Sequence, residues 1–177
     1  MVHLRAVDPG DVHVGTVRIE VTDNEAAITH RPVRMGPEAF EQILIEETDR
    51  GELDLLVVES FRLYPKMARE QGYSEFLTPQ LIGVIRFIAR RRGIPVYMQG
   101  ASIKKMALQV ASTPKPGFPL QKLRGGRRDF EGRNQHERDA VAHGFWWAHR
   151  NDDSPLVIAE KARASASRNT ARARQKE

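Results

Sequence analysis

Residues 53–60 read Leu-Asp-Leu-Leu-Val-Val-Glu-Ser, with an unbroken apolar row at positions 55–58. Successive side chains of a strand point to opposite faces, so a row without alternation must be covered on both. That excludes a sheet with one wet face and asks for helices on either side of a central strand. The row ends in Glu59, a carboxylate that is costly to bury unless it is paired, hydrogen-bonded or bound to metal.

Three strand-like segments precede this row. Residues 3–8 alternate weakly and stop at the turn signal Asp8-Pro9-Gly10. Residues 12–21 carry Val12, Val14, Val17, Ile19 and Val21, with Gly15 as a bend, and residues 26–33 follow the turn at Asp23-Asn24. Short turns between consecutive strands predict an antiparallel meander. Pro37 then opens a helix bearing Phe40, Ile43, Leu44 and Glu47, and Gly51 ends it. Beyond the central strand, Thr78-Pro79 starts a second helix that runs through Arg92, Gly93 stops it, and residues 94–98 read as a short strand. Strand–helix–strand–helix–strand implies right-handed crossovers and a parallel half to the sheet. The expected fold class is α/β: a mixed five-stranded sheet, the meander continued by parallel strands, flanked by helices.

The second helix carries Leu81, Ile82, Val84, Ile85, Phe87, Ile88 and Ala89. At about 100° per residue these span roughly 220°, enough for one face on the sheet and another on a second subunit. Residues 112–134 form a Gly/Pro-rich loop with Lys115, Lys122, Arg124, Arg127, Arg128 and Arg133 against Asp129 and Glu131, and loops this long are usually functional or disordered. Residues 135–150 read as a helix. From about Asn151 the chain is an Ala/Ser/Arg-rich basic tail, expected to be flexible or partly helical, so one domain over 1–150 and a tail over 151–177 are expected. The 28 Lys and Arg against 23 Asp and Glu give 28 − 23 = +5. From Ser154 onward six cations face two acids, or +4, so most of the basic excess sits in the tail.

Two further acids occupy informative places. Asp8 closes the first strand, which the meander places beside the fourth, so its carboxylate should converge on Glu59. Asp139 lies in His136-Glu137-Arg138-Asp139-Ala140-Val141-Ala142-His143, where His136, Asp139 and His143 share one helix face. The small Ala140, Ala142 and Gly144 would let that helix lie close to the sheet. With no cysteine in the chain, thiolate sites are excluded, and clustered carboxylates are hard oxygen ligands suited to Mg²⁺ or Mn²⁺. His136-Glu137 does not continue as a His-Glu-x-x-His zinc motif, and neither a phosphate-binding Gly loop nor a Gly-x-Ser-x-Gly elbow occurs.

Asp8-Pro9-Gly10 after a first strand, an apolar strand ending in Glu59, and a late helix with His-x-x-Asp-Ala at 136–140 together resemble the RuvC-type Holliday junction resolvases of the RNase H-like nuclease superfamily. The segment from Thr78 through Ile94-Pro95-Val96 to Ser102-Ile103-Lys104-Lys105 is similar to that family's dimer helix, fifth strand and basic helix. The resemblance spans about residues 3–150 and implies an RNase H-like sheet. It implies that Asp8, Glu59, Asp139 and His136 form the catalytic set and hold two Mg²⁺ (or Mn²⁺) ions. It further implies that Lys104, Lys105 and the basic loop residues Lys122, Arg124, Arg127 and Arg128 contact DNA. The family's aromatic wedge three residues beyond the Glu is displaced here, with Phe61 two beyond and Arg62 in the third place.

The function so implied is a metal-dependent, structure-selective DNA endonuclease that resolves four-way junctions by paired phosphodiester hydrolysis as a homodimer on branched DNA. The alternatives are an RNase H-like nuclease on RNA–DNA hybrids or flap DNA, and a non-catalytic nucleic-acid-binding protein. No apolar run approaches the roughly 18 residues that span a bilayer. Arg5 and Asp8 stand where a signal peptide needs its apolar stretch, so a cytoplasmic protein is expected, in the bacterial host if phage-encoded.

Overall fold

The computed structural model describes residues 1–61, 77–112, 123–124 and 134–174. The meander is β1 (Val2–Asp8), β2 (Val14–Val21) and β3 (Ala26–Met35). Then come α1 (Pro37–Asp49), β4 (Leu55–Glu59), α2 (Leu77–Arg91), β5 (Val96–Gln99) and α3 (Ser102–Ser112). A two-residue β6 (Leu123–Arg124), α4 (Gln135–Arg150) and α5 (Pro155–Arg174) complete the chain.

The sheet order is β5-β4-β1-β2-β3-β6. β1 runs antiparallel to β2 and parallel to β4, with Val7 opposite Val58, so Asp8 and Glu59 end neighbouring strands on the same edge. The five expected strands are all present in the expected order. The sixth, β6, pairs with the start of β3 and anchors part of the basic loop to the sheet.

The apolar row is buried on both faces. Leu55 and Val57 face α4 in a core with Leu4, Ala6, Val17, Ile19, Phe145 and Trp147. Leu56 and Val58 face α1 and α2, among Val7, Phe40, Leu44, Leu81, Ile82 and Ile85. Both helices on this second face end where glycine was expected, and Gly51 and Gly93 take positive φ of 66° and 69°, the left-handed cap conformation. The broad apolar arc of α2 divides accordingly: Leu81, Ile82, Ile85 and Ala89 are buried, while Phe87 is 53% exposed.

Several boundaries differ from the sequence reading, three of them instructively. Val12 is exposed in the turn before β2, which begins at Val14, because the reversal after Pro9-Gly10 extends to His13. β3 continues to Met35, and β5 covers 96–99 rather than 94–98. Beyond α4, Ser154 donates its hydroxyl to the Ala148 carbonyl in the last turn of α4 at 2.6 Å, and Leu156 is buried in the α4-side core at the start of α5. Arg163 of α5 donates to the Asp23 carbonyl and the Asn24 side chain at the β2–β3 turn.

Candidate active site

The helix that carries Asp139 sits unusually close to the sheet, and glycines make that possible. A Cβ on Gly15 would lie 2.0 Å from the His136 carbonyl oxygen, and one on Gly144 would lie 2.5 Å from Ile19 Cδ1. The bend expected at Gly15 is therefore a point of close backbone approach. Asn134 caps α4 by accepting from the Glu137 amide at 3.1 Å. His136 and Asp139 thus enter the first turns of a helix laid across the ends of β1 and β4.

At that point the acids meet. Lys104, in the first turn of α3, places Nζ 2.8 Å from Glu59 Oε2, 2.8 Å from Asp139 Oδ2 and 3.6 Å from Asp8 Oδ1. His136 Nδ1 lies 2.6 Å from Asp8 Oδ2. His143, fully buried one turn further along α4, places Nε2 3.2 Å from Glu59 Oε2 and Nδ1 2.8 Å from Gln99 Oε1.

Three carboxylates around one ammonium leave an excess of negative charge, and the site relieves it with a proton. Burial, reinforced by a hydrogen bond to Glu59 and its negative charge, pushes Asp8 up to about 8. Burial also works to raise Glu59, but hydrogen bonds from His143, Asp8 and Lys104 outweigh it and pull Glu59 down to about 2. Within the pair, Asp8 is thus the carboxyl pushed toward its protonated form and Glu59 the one pushed toward its charged form. Lys104 is held protonated: burial favours its neutral form, and the hydrogen bonds to Asp139 and Glu59 more than compensate. The His136 pKa is lowered, first by burial; Asp139 pulls it back up, and the neighbouring Lys104, His13 and Arg34 add to the lowering.

Among the described residues, no three His, Asp or Glu side chains stand in a metal-holding arrangement as they are. The Lys104 ammonium is at the focus of the carboxylates instead. The donor set nevertheless fits a hard divalent cation: oxygen ligands from three elements converge on one positive charge, and that charge is too small for them.

Asp8, Glu59, Asp139 and His136 are thus brought together, and Lys104 joins them from within. Lys105 is exposed beside the site, and Phe61 is 36% exposed just past the end of β4. Arg124 lies in β6, while Arg62, Lys122, Arg127 and Arg128 lie outside the described residues. Sequence reasoning missed Gln99, His13 and Arg34. It put His143 on the same helix face as Asp139 but assigned it no role.

A mixed sheet in this strand order, with acids at the adjoining ends of β1 and β4 and on α4, defines an RNase H-like α/β fold. No protein-family model and no curated protein matches the sequence. Solved structures do match, and the fold they share with this chain is that of RuvC. Thermus thermophilus RuvC aligns with a TM-score of 0.57 and 20% identity, covering 81% of this chain and 94% of that one. The same organism's RuvC in complex with Holliday junction substrate gives 0.58 and 19%, over 85% and 97%. The fowlpox virus Holliday junction resolvase gives 0.54 and 9%, over 83% and 97%.

Proposed function

We propose that this chain is a metal-dependent endonuclease that resolves four-way DNA junctions as a homodimer. The observation that carries the reading is the convergence of Asp8, Glu59 and Asp139 on the single charge of Lys104, at the strand ends of a fold shared with RuvC. Asp8, Glu59 and Asp139 would hold two Mg²⁺ or Mn²⁺ ions, with His136 at the open side. The chemistry such ions would supply there is activation of a water and stabilisation of the leaving oxygen in phosphodiester cleavage.

The chain's own groups supply the rest. The His136 side chain is 39% exposed and burial lowers its pKa, so the ring nitrogen turned away from Asp8 is placed to accept a proton. Lys104 carries a permanent positive charge on a flexible stem and is the group next to the acids that can turn to a phosphate. Lys105 and Arg34 are exposed near the same mouth and suit the backbone of a polyanion. Junction substrate is favoured because T. thermophilus RuvC has been solved in complex with a Holliday junction. The exposed side of α2, with Phe87, is the surface offered to a second copy.

Cleavage of an end-labelled synthetic four-way junction in Mg²⁺, beside a linear duplex and an RNA–DNA hybrid, tests the reading. Paired nicks confined to the junction are expected. Asp8→Asn should lower the rate by about 10³-fold, the equivalent of several kcal/mol of lost metal assistance, and leave junction binding intact. Cutting of the hybrid or duplex instead would overturn the junction assignment, and binding of all three without cleavage would overturn the nuclease.

A further inference from the structure

Glu59 is held from behind by two residues that no part of the catalytic reading uses. Gln99 is the last residue of β5 and lies directly opposite Glu59 in the parallel β4–β5 register. Its backbone carbonyl accepts from the Ser60 amide at 2.7 Å, which fixes the two strand ends together just where the carboxylate emerges. Its side chain is 8% exposed and meets His143 Nδ1, while the opposite nitrogen of the same ring meets Glu59. A fully buried imidazole therefore spends both nitrogens on a line from β5 through α4 to β4.

The chemistry of that line has one consistent outcome at Glu59. If Nδ1–H donates to the Gln99 oxygen, a ring that also satisfies the carboxylate is an imidazolium. If the Gln99 amide is turned over, its NH₂ donates to Nδ1 and a neutral ring offers Nε2–H. Either way the carboxylate receives an N–H from a ring that cannot move, because α4 and the sheet enclose it. That contact shares Oε2 with Lys104, so it persists as an anchor when the ammonium is elsewhere. A hydrophobic side chain would fill the same space, and a buried polar ring is costly unless it is satisfied, as this one is.

We propose that His143, oriented by Gln99, is a positioning residue that fixes the Glu59 carboxylate for divalent cation binding. The inference rests on the metal-dependent reading above. Hydrogen-bond partners that orient a ligating carboxylate typically change metal affinity by about 10–100-fold when removed.

The test is calorimetric titration of Mn²⁺ into the full chain without DNA, for wild type, His143→Phe and Gln99→Met. Weakening by about 10–100-fold in His143→Phe, and by a smaller factor in Gln99→Met, is expected. Half-saturation of cleavage should move to higher Mn²⁺ by the same factor, with the rate largely recovered at saturation. A ring that only fills space would lower the melting temperature and leave the Mn²⁺ affinity alone. Wild-type affinity in a folded His143→Phe overturns the proposal. If that variant does not fold, wild-type affinity in Gln99→Met overturns it equally. Should the wild-type chain itself bind no Mn²⁺, the metal reading fails and takes this inference with it; normal binding in wild type and variants alike defeats only the inference.

Discussion

Arg5 and Asp8 are both 5% exposed and stand on the same strand, yet they enter clusters of different kinds. Arg5 points toward α1, where its guanidinium makes a two-pronged contact with Glu47, and its other arm donates to Thr16 Oγ1 at 2.9 Å. Arg18 adds a contact to Glu47 at 3.7 Å and one to Glu52 at 2.9 Å. Two cations face two acids, and the planar fork of arginine matches the carboxylate. At the end of the strand the balance fails: Asp8, Glu59 and Asp139 share Lys104, and the Asp8 carboxyl is pushed toward its protonated form. A cluster that serves the fold closes its charge account. One that waits for a ligand leaves an excess, at a cost in stability.

The two clusters should therefore answer mutation with opposite signs. The largest effect belongs to the balanced one. Glu47→Leu keeps the volume but leaves Arg5 buried without its carboxylate, so urea unfolding should show a loss of about 3–5 kcal/mol. A loss below about 1 kcal/mol would mean that Arg18 and Glu52 can rearrange to satisfy Arg5, and the contrast between the clusters would collapse.

A smaller effect of reverse sign is expected at the other end of β1. Asp8→Asn removes the need to take up a proton on folding, and the metal-free protein should gain about 0.5–2 kcal/mol. Under the proposed function the same variant should lose cleavage, so stability and activity should move apart at one residue. Mn²⁺ is expected to stabilise the wild type by binding the folded chain, and to do so less in Asp8→Asn. A destabilised Asp8→Asn would show that the site is not strained by its acids.

What could be read in advance divides along the same line. The double burial of Leu55–Val58 was legible because an unbroken row admits no other environment, and the neighbouring ends of β1 and β4 follow from the chain order of a meander and a crossover. Asp8 and Glu59 could be placed together from that topology, and His136 and Asp139 on one helix face from spacing, but that this face meets the two strand ends was implied only by the resemblance to the RuvC-type family. The Arg5–Glu47 pair could not, because it depends on which turn of α1 crosses which residue of β1. Neither could the line from Gln99 to Glu59, which needs the β4–β5 register, nor the inward turn of Lys104, whose neighbour Lys105 has the same chemistry and points outward. Val12 misled for a local reason: an apolar residue in phase with a strand is not in the strand if the turn before it runs long.

The last expected effect is a slope with pH. The folded-state pKa of Asp8, about 8, lies above the ordinary 3.8, so its favourable contribution is complete below about pH 4 and is lost as pH rises toward about 8. Glu59 acts the other way: held down at about 2, it stabilises above about pH 4.5 and loses that contribution only as pH falls through about 2. Between about pH 5 and 8, then, the metal-free chain should weaken on account of Asp8 while Glu59 contributes a constant amount. Subtracting the unfolding free energy of Asp8→Asn at each pH isolates that slope from every other titrating group. Mn²⁺ should oppose the trend, because a carboxylate must lose its proton to bind a cation and affinity rises as Asp8 ionises. A difference between wild type and Asp8→Asn that stays flat from about pH 5 to 8 would place the shared proton somewhere other than Asp8.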